Sequence, residues 1–215
     1  YLILQVSSTL YCNHTMTTVF LRKGISYYPT AEAQLDVHPV LPPGNFTVCK
    51  DARTGELYLE QIASFPTYSK VYGNMKQRVE RFSNTFTDRS ASTGVLLTGE
   101  KGSGKTMVAK LLCLWGEANG IPTIVINHPW TGDQFNTLIQ SINQPAIVLI
   151  DEFEKVYDYQ QQEKMLTLLD GVYPSKKMFI LTCNDKYRIN QHMRNRPGRL
   201  FYSVDFVGLP LDMII

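Results

Sequence analysis

Beyond about Val71, short unbroken apolar runs alternate with stretches in which apolar positions recur every third or fourth residue. Unbroken runs fit strands buried on both faces, and the three-to-four spacing fits helices that bury one stripe. Met75, Val79, Phe82 and Phe86 therefore predict a helix that ends before Asp88, and Gly94–Thr98 predicts a strand. The next helix buries Met107, Val108, Leu111, Leu112 and Trp115 and stops near Gly120. Strands at Thr123–Ile126, Ala146–Ile150, Met178–Thr182 and Val204–Val207 follow, with helices at Gln134–Ile142 and near Gln161–Leu169 between them. This alternation predicts an α/β three-layer sandwich with a central parallel sheet.

The chain before about Phe65 has another rhythm. Thr18–Leu21 and Gln34–Val37 read as strands, and Asn45–Lys50 and Glu56–Glu60 as a hairpin turning through Asp51–Gly55. Gly55 stands where a longer hairpin loop wants a positive φ. Pro39, Pro42, Pro43 and Pro66 argue against long helices here. A small β-rich domain over 1–66 is expected, ahead of a core over 67–210. Neither an internal repeat nor a low-complexity tract is visible.

Composition narrows the class only modestly. With 215 residues and 44% hydrophobic content the chain can bury one good core and a smaller second one. A net charge of +2 makes no case for a polyanionic partner. Cys12, Cys49, Cys113 and Cys183 are far apart, without metal-site or disulfide-framework spacing, so reduced thiols and a cytoplasmic location are expected. On that expectation the sequons at Asn13-His14-Thr15 and Asn45-Phe46-Thr47 remain unused. No apolar stretch approaches the ~20 residues needed to span a bilayer.

The chemistry is concentrated after the first strand of the core. Gly99-Glu100-Lys101-Gly102-Ser103-Gly104-Lys105-Thr106 is a complete phosphate-binding loop between a strand and a helix. Its glycines let successive backbone N–H groups turn inward on phosphates, Lys105 reaches the β and γ phosphates, and the Thr106 hydroxyl ligates magnesium. The fold expected is thus that of a P-loop NTPase. Ala146–Ile150 ends in Asp151 and Glu152, where Asp151 would hold magnesium through water and Glu152 would polarise the attacking water. Asn184, at the end of the next strand, could reach the γ phosphate or the lytic water, or could simply form an Asx turn. Arg194, Arg196 and Arg199 share a short loop that reads as a solvated basic turn, a nucleic-acid contact or an arginine finger.

In this order the motifs resemble the AAA+ ATPase family over roughly Tyr68–Pro210. Gly99–Thr106 matches Walker A, Ile147–Glu152 matches Walker B, Asn184 matches sensor 1, and Arg196-Pro197-Gly198-Arg199 matches the arginine-finger motif. Leu168-Leu169-Asp170-Gly171 is similar to the subgroup that remodels or threads proteins, and the β region with Leu41-Pro42-Pro43-Gly44 resembles the mitochondrial inner-membrane chaperone and translocase type. Glu100-Lys101 stands where that subgroup usually has Pro-Pro. The resemblance implies ATP and Mg2+, hydrolysis to ADP and phosphate, a homo-oligomeric and hexameric ring, and a macromolecular, protein substrate. It also implies a helical lid after Pro210, absent or truncated here, with 211–215 as its start.

Trp130-Thr131-Gly132 lies where threading members carry an aromatic pore loop, although Trp130 could equally pack over the next helix. Tyr72-Gly73 is a candidate for the adenine pocket. Two other classes remain open at this point: a nucleic-acid-directed module such as a helicase loader, and a nucleotide-dependent switch without turnover.

Overall fold

The computed structural model describes residues 18–23, 26–31, 36–194 and 200–206. The chain divides into two compact units, Tyr1–Pro39 and Val40–Ile215. In the first, β1 (Thr18–Lys23) and β2 (Ser26–Ala31) pair antiparallel, with Thr18 opposite Ala31 and Lys23 opposite Ser26. Pro29 sits within β2, which the sheet tolerates because, among the described residues, it has two strands and each has one side without a ladder partner. Of the strand expected over Gln34–Val37, Asp36 and Val37 are irregular and exposed, and Gln34 and Leu35 lie outside the described residues.

The second unit runs β3 (Asn45–Lys50), β4 (Leu57–Ile62), α1 (Met75–Asp88), β5 (Thr93–Gly99), α2 (Lys105–Ala118), β6 (Thr123–Val125), α3 (Asp133–Gln140) and β7 (Ala146–Ile150). It continues through α4 (Phe153–Val156), α5 (Tyr159–Leu169), β8 (Lys177–Cys183), a 3-10 turn at Lys186–Arg188, α6 (Gln191–Arg194) and β9 (Tyr202–Phe206). Among the described residues the sheet has seven strands in the order β4-β3-β6-β7-β8-β5-β9, parallel throughout except for the β3–β4 hairpin.

The period-2 pattern divides each central strand between two cores. Val95 and Leu97 of β5, Ile147 and Leu149 of β7, and Met178 and Ile180 of β8 face one side, with Met75, Phe82 and Phe86 of α1 and Val108 and Leu112 of α2. Leu96, Val148, Ile150, Phe179 and Leu181 face the other, with Phe135 and Ile139 of α3 and Met165 and Leu168 of α5. Both faces are apolar, so β5, β7 and β8 read as continuous runs without polar alternation. This is the three-layer P-loop NTPase sandwich expected.

The hairpin corrects the expected layout. It is the edge of the central sheet, where β3 pairs parallel with β6 through Asn45–Thr123 and Thr47–Val125. The physical reason is burial: Phe46 and Val48 are buried with Ile124 and Ile126, which an isolated hairpin could not achieve. Gly55 has the expected positive φ, 74°, and the Asp51 carboxylate accepts the N–H groups of Arg53 and Thr54. Asn45 is 1% exposed and its Nδ2 donates to the Ala63 carbonyl, so this sequon is closed to modification; Asn13 lies outside the described residues.

Two adjacent lysines tie helix ends to the sheet. Lys176 Nζ donates to the carbonyls of Phe86, Thr87 and Arg89 at the end of α1. The buried Lys177 Nζ donates to those of Ile142, Gln144 and Ser175, and burial pushes its pKa down to about 8. These contacts satisfy carbonyls that a helix end or loop leaves bare. No helix among the described residues is long and apolar enough to cross a membrane.

Candidate active site

The phosphate loop joins the end of β5 to the start of α2. Gly99 has φ 133°, and a Cβ there would lie 2.2 Å from the Phe206 carbonyl oxygen, so close packing of β9 as well as backbone conformation requires glycine. Gly104 has φ 97° and is the N-cap of α2 with no side-chain cap, which leaves the helix's first N–H groups to an anion. Met75 of α1 packs directly over Gly104, whose Cβ would come within 2.3 Å of Met75 Cε.

Lys105 is buried, and its Nζ donates to the carbonyls of Gly99 (2.6 Å) and Glu100 (2.7 Å). Burial lowers its pKa, while the carboxylates of Glu154, Asp151 and Glu152 pull the other way. The Glu100 and Lys101 side chains point outward; the Glu100 carbonyl instead takes the Ser103 N–H, closing the turn of the loop.

The strand order places β8 between β7 and β5, so the carboxylate after β7 must reach across one strand to the phosphate loop. It does. Thr106 Oγ1 donates to Asp151 Oδ1 at 3.0 Å, joining residues 45 apart in sequence. Two hard oxygen donors, one hydroxyl and one carboxylate, suit magnesium, which keeps several waters and takes few protein ligands. Thr182 at the end of β8 also donates to Asp151 Oδ1, at 2.5 Å, and accepts the Glu152 N–H at 2.8 Å.

Glu152 is, among the described residues, the one non-glycine with positive φ (52°). Its Oε1 accepts from Lys155 Nζ at 2.6 Å; this bond first, with the Asn184 amide and the Lys101 charge adding to it, holds the carboxyl below its usual range. The same bond raises the Lys155 pKa. Asn184 stands beside this group, but its backbone N–H (2.9 Å) and its Nδ2 (3.0 Å) both donate to Glu154 Oε1. Glu154 Oε2 is buried without a hydrogen-bond partner.

Lys105, Thr106, Asp151, Glu152 and Asn184 are therefore assembled on one rim of the sheet. Arg196 and Arg199 lie outside the described residues. Gln162 of α5 holds the segment leading toward them, bonding the carbonyls of Tyr157 and Arg188 and the N–H of Asn190. Sequence reasoning passed over Thr182, Glu154 and Lys155 as site residues. A signal existed for Thr182: at strand period two it shares a face with Asn184.

Trp130 departs from the pore-loop expectation. It is half-buried against the core, its ring lies edge-on to His128 at 4.9 Å, and its carbonyl accepts the Tyr157 hydroxyl. That is the packing alternative, not a free aromatic. Tyr72 is half-exposed just before α1, and Gly73 has φ 59°.

Comparison with known proteins follows the same segment. The profile of the AAA family, "ATPase family associated with various cellular activities", matches residues 95–206. ATPase family gene 2 protein of Schizosaccharomyces pombe is 29% identical over 137 residues, 54% of this chain and 16% of its own length. The chloroplastic ATP-dependent zinc metalloprotease FTSH 6 of Arabidopsis thaliana is 30% identical over 144 residues, 54% of this chain and 20% of its own. The ATP-dependent zinc metalloprotease FtsH 1 of a Thermoanaerobacter species is 26% identical over 179 residues, 71% of this chain and 26% of its own. The chain thus spans between 16% and 26% of the length of these relatives. A solved structure of C. elegans PCH-2 superposes over 62% of this chain and 42% of its own, with a TM-score of 0.43 and 18% identity.

Proposed function

Since the chain belongs to the AAA family of ATPases, we propose that the rim formed by its phosphate loop and the ends of β7 and β8 hydrolyses ATP, that subunits assemble into a hexameric ring, and that the ring remodels or translocates a protein. The observation that carries the hydrolytic part is the Thr106–Asp151 contact, which brings the phosphate-binding and carboxylate elements together across the intervening strand.

In this reading the N–H groups of the loop and α2 bind the phosphates, and Lys105 moves from the Gly99 and Glu100 carbonyls to the β and γ phosphates. Thr106 and Asp151 hold magnesium, which supplies neutralising charge to the phosphates. Glu152 accepts a proton from water as the water oxygen attacks the γ phosphorus. The bond to the bridging oxygen breaks with its electron pair leaving on ADP. Asn184 orients the water or the γ phosphate, and Arg196 and Arg199 reach the site of a neighbouring subunit. Tyr72 and Gly73, just ahead of the helix that packs on Gly104, border the adenine.

The test pairs Lys105→Ala with Glu152→Gln. The first is expected to abolish ATP binding and the second to bind ATP with hardly any turnover. Equal loss of binding in both contradicts the assigned roles. Arg196→Ala is expected to abolish turnover while each subunit still binds ATP; a monomeric protein with full activity and no response to Arg196→Ala overturns the ring.

A further inference from the structure

We propose that Thr182 is a positioning residue for hydrolysis, its one hydroxyl fixing both the Asp151 carboxylate and the backbone that carries Glu152. The proposal rests on the roles given above to Asp151 and Glu152.

The direction of both bonds is determined. A backbone N–H can only donate, so Thr182 Oγ1 accepts from Glu152 at 2.8 Å. The single hydroxyl hydrogen is then free for Asp151 Oδ1 at 2.5 Å. Thr106 donates to the same oxygen. Two hydroxyls, one from the first turn of α2 and one from the end of β8, thus fix the rotation of the Asp151 carboxylate and leave Oδ2 uncommitted to either.

The Glu152 bond acts on the backbone. Glu152 has φ 52° and ψ 49°, a left-handed conformation that any side chain disfavours. Such a conformation persists only where its surroundings hold it. Here the N–H is held by Thr182, and the carbonyl accepts from the N–H groups of Lys155 and Val156. The left-handed turn decides where the Glu152 carboxylate points as the chain leaves β7.

Thr182 itself has little freedom. It is 1% exposed and paired with Leu97 in the parallel ladder, and its β-branch restricts the side-chain torsion. Packing alone would accept valine at this buried position. The hydroxyl is accounted for by its two bonds.

The experiment compares Thr182→Val, which keeps the shape without the hydroxyl, with Thr182→Ser, which keeps the hydroxyl, both in the full chain. Hydrolysis is followed at saturating ATP with magnesium, and binding by titration of ATP itself. Thr182→Val is expected to lower kcat about tenfold to a hundredfold, the effect of losing a hydrogen bond to a charged group, with KM for ATP within about threefold. Thr182→Ser is expected to restore most of the rate. Hydrogen exchange in the peptide covering 148–156 should rise in Thr182→Val and not in Thr182→Ser. In a Glu152→Gln background Thr182→Val should cost a smaller fraction of the rate than in wild type, because only its hold on Asp151 is left to lose.

Wild-type kcat in Thr182→Val overturns the proposal, and so does an equal fractional loss in the Glu152→Gln background. Wild-type turnover by Glu152→Gln alone removes the underlying role of Glu152, an outcome distinct from either. Should Thr182→Val melt below the assay temperature, Thr182→Cys replaces it with the same two outcomes.

Discussion

Replacing Glu154 by alanine removes two hydrogen bonds at one atom, because Oε1 accepts both the backbone N–H and the Nδ2 of Asn184. A hydrogen bond to a charged group contributes ~1.5–3 kcal/mol, so the simple sum is ~3–6 kcal/mol. The net is smaller. Glu154 Oε2 is buried and unpartnered, so wild type already bears a desolvation cost that truncation relieves. Subtracting that cost leaves about 2 kcal/mol of destabilisation, or roughly 4–8 °C in melting temperature for a unit of this size. Asn184 would also lose the anchor of its amide, and an amide free to rotate away from the reacting phosphate should lower kcat by about tenfold. Glu154→Gln keeps a carbonyl acceptor and should recover most of both losses. The assay is single-turnover ATP hydrolysis with a melting curve on the same preparations. A melting temperature that falls while kcat does not would show that the position of Asn184 is immaterial to the chemistry. Unchanged values of both would refute the anchoring.

Three further outcomes follow from the geometry. Lys155→Ala should move the acid limb of the kcat/KM profile to higher pH, since Lys155 holds the Glu152 carboxyl below its usual range; the base is active when ionised, and in wild type it loses its charge only as pH falls through that lowered value. An unmoved limb would separate Glu152 from the proton transfer. Gly99→Ala should cost on the order of 3 kcal/mol or more by thermal melt, because the added Cβ meets the Phe206 carbonyl at 2.2 Å and φ is 133°. Lys177→Met should destabilise by about 2–4 kcal/mol in denaturant melts, because three carbonyls lose their donor at once; a neutral result would mean that water replaces the ammonium.

Local pattern was enough wherever a short segment decides its own chemistry. The phosphate loop is legible from Gly99 to Thr106 because its glycines, lysine and threonine act within one turn of chain. The strands β5, β7 and β8 are legible because burial on both faces writes itself as an uninterrupted apolar run. From these, and from two carboxylates at a strand end, a P-loop NTPase sandwich could be read from the chain alone, and the resemblance to the AAA+ family added ATP. What pairs with what could not. The hairpin at Asn45–Ile62 shows the same alternation whether it stands alone or edges a larger sheet, and only the burial of Phe46 and Val48 beside β6 decides for the edge. Trp130 likewise carries no mark of whether it grips a substrate or packs on the core. The contacts of Thr182 with Asp151 and Glu152, and of Glu154 with Asn184, join residues 30 or 31 positions apart. Sequence therefore determined the reactive groups, and the packing of parallel strands in non-sequential order determined their aim, because hydrogen-bond geometry across strand ends exists only after the sheet has formed.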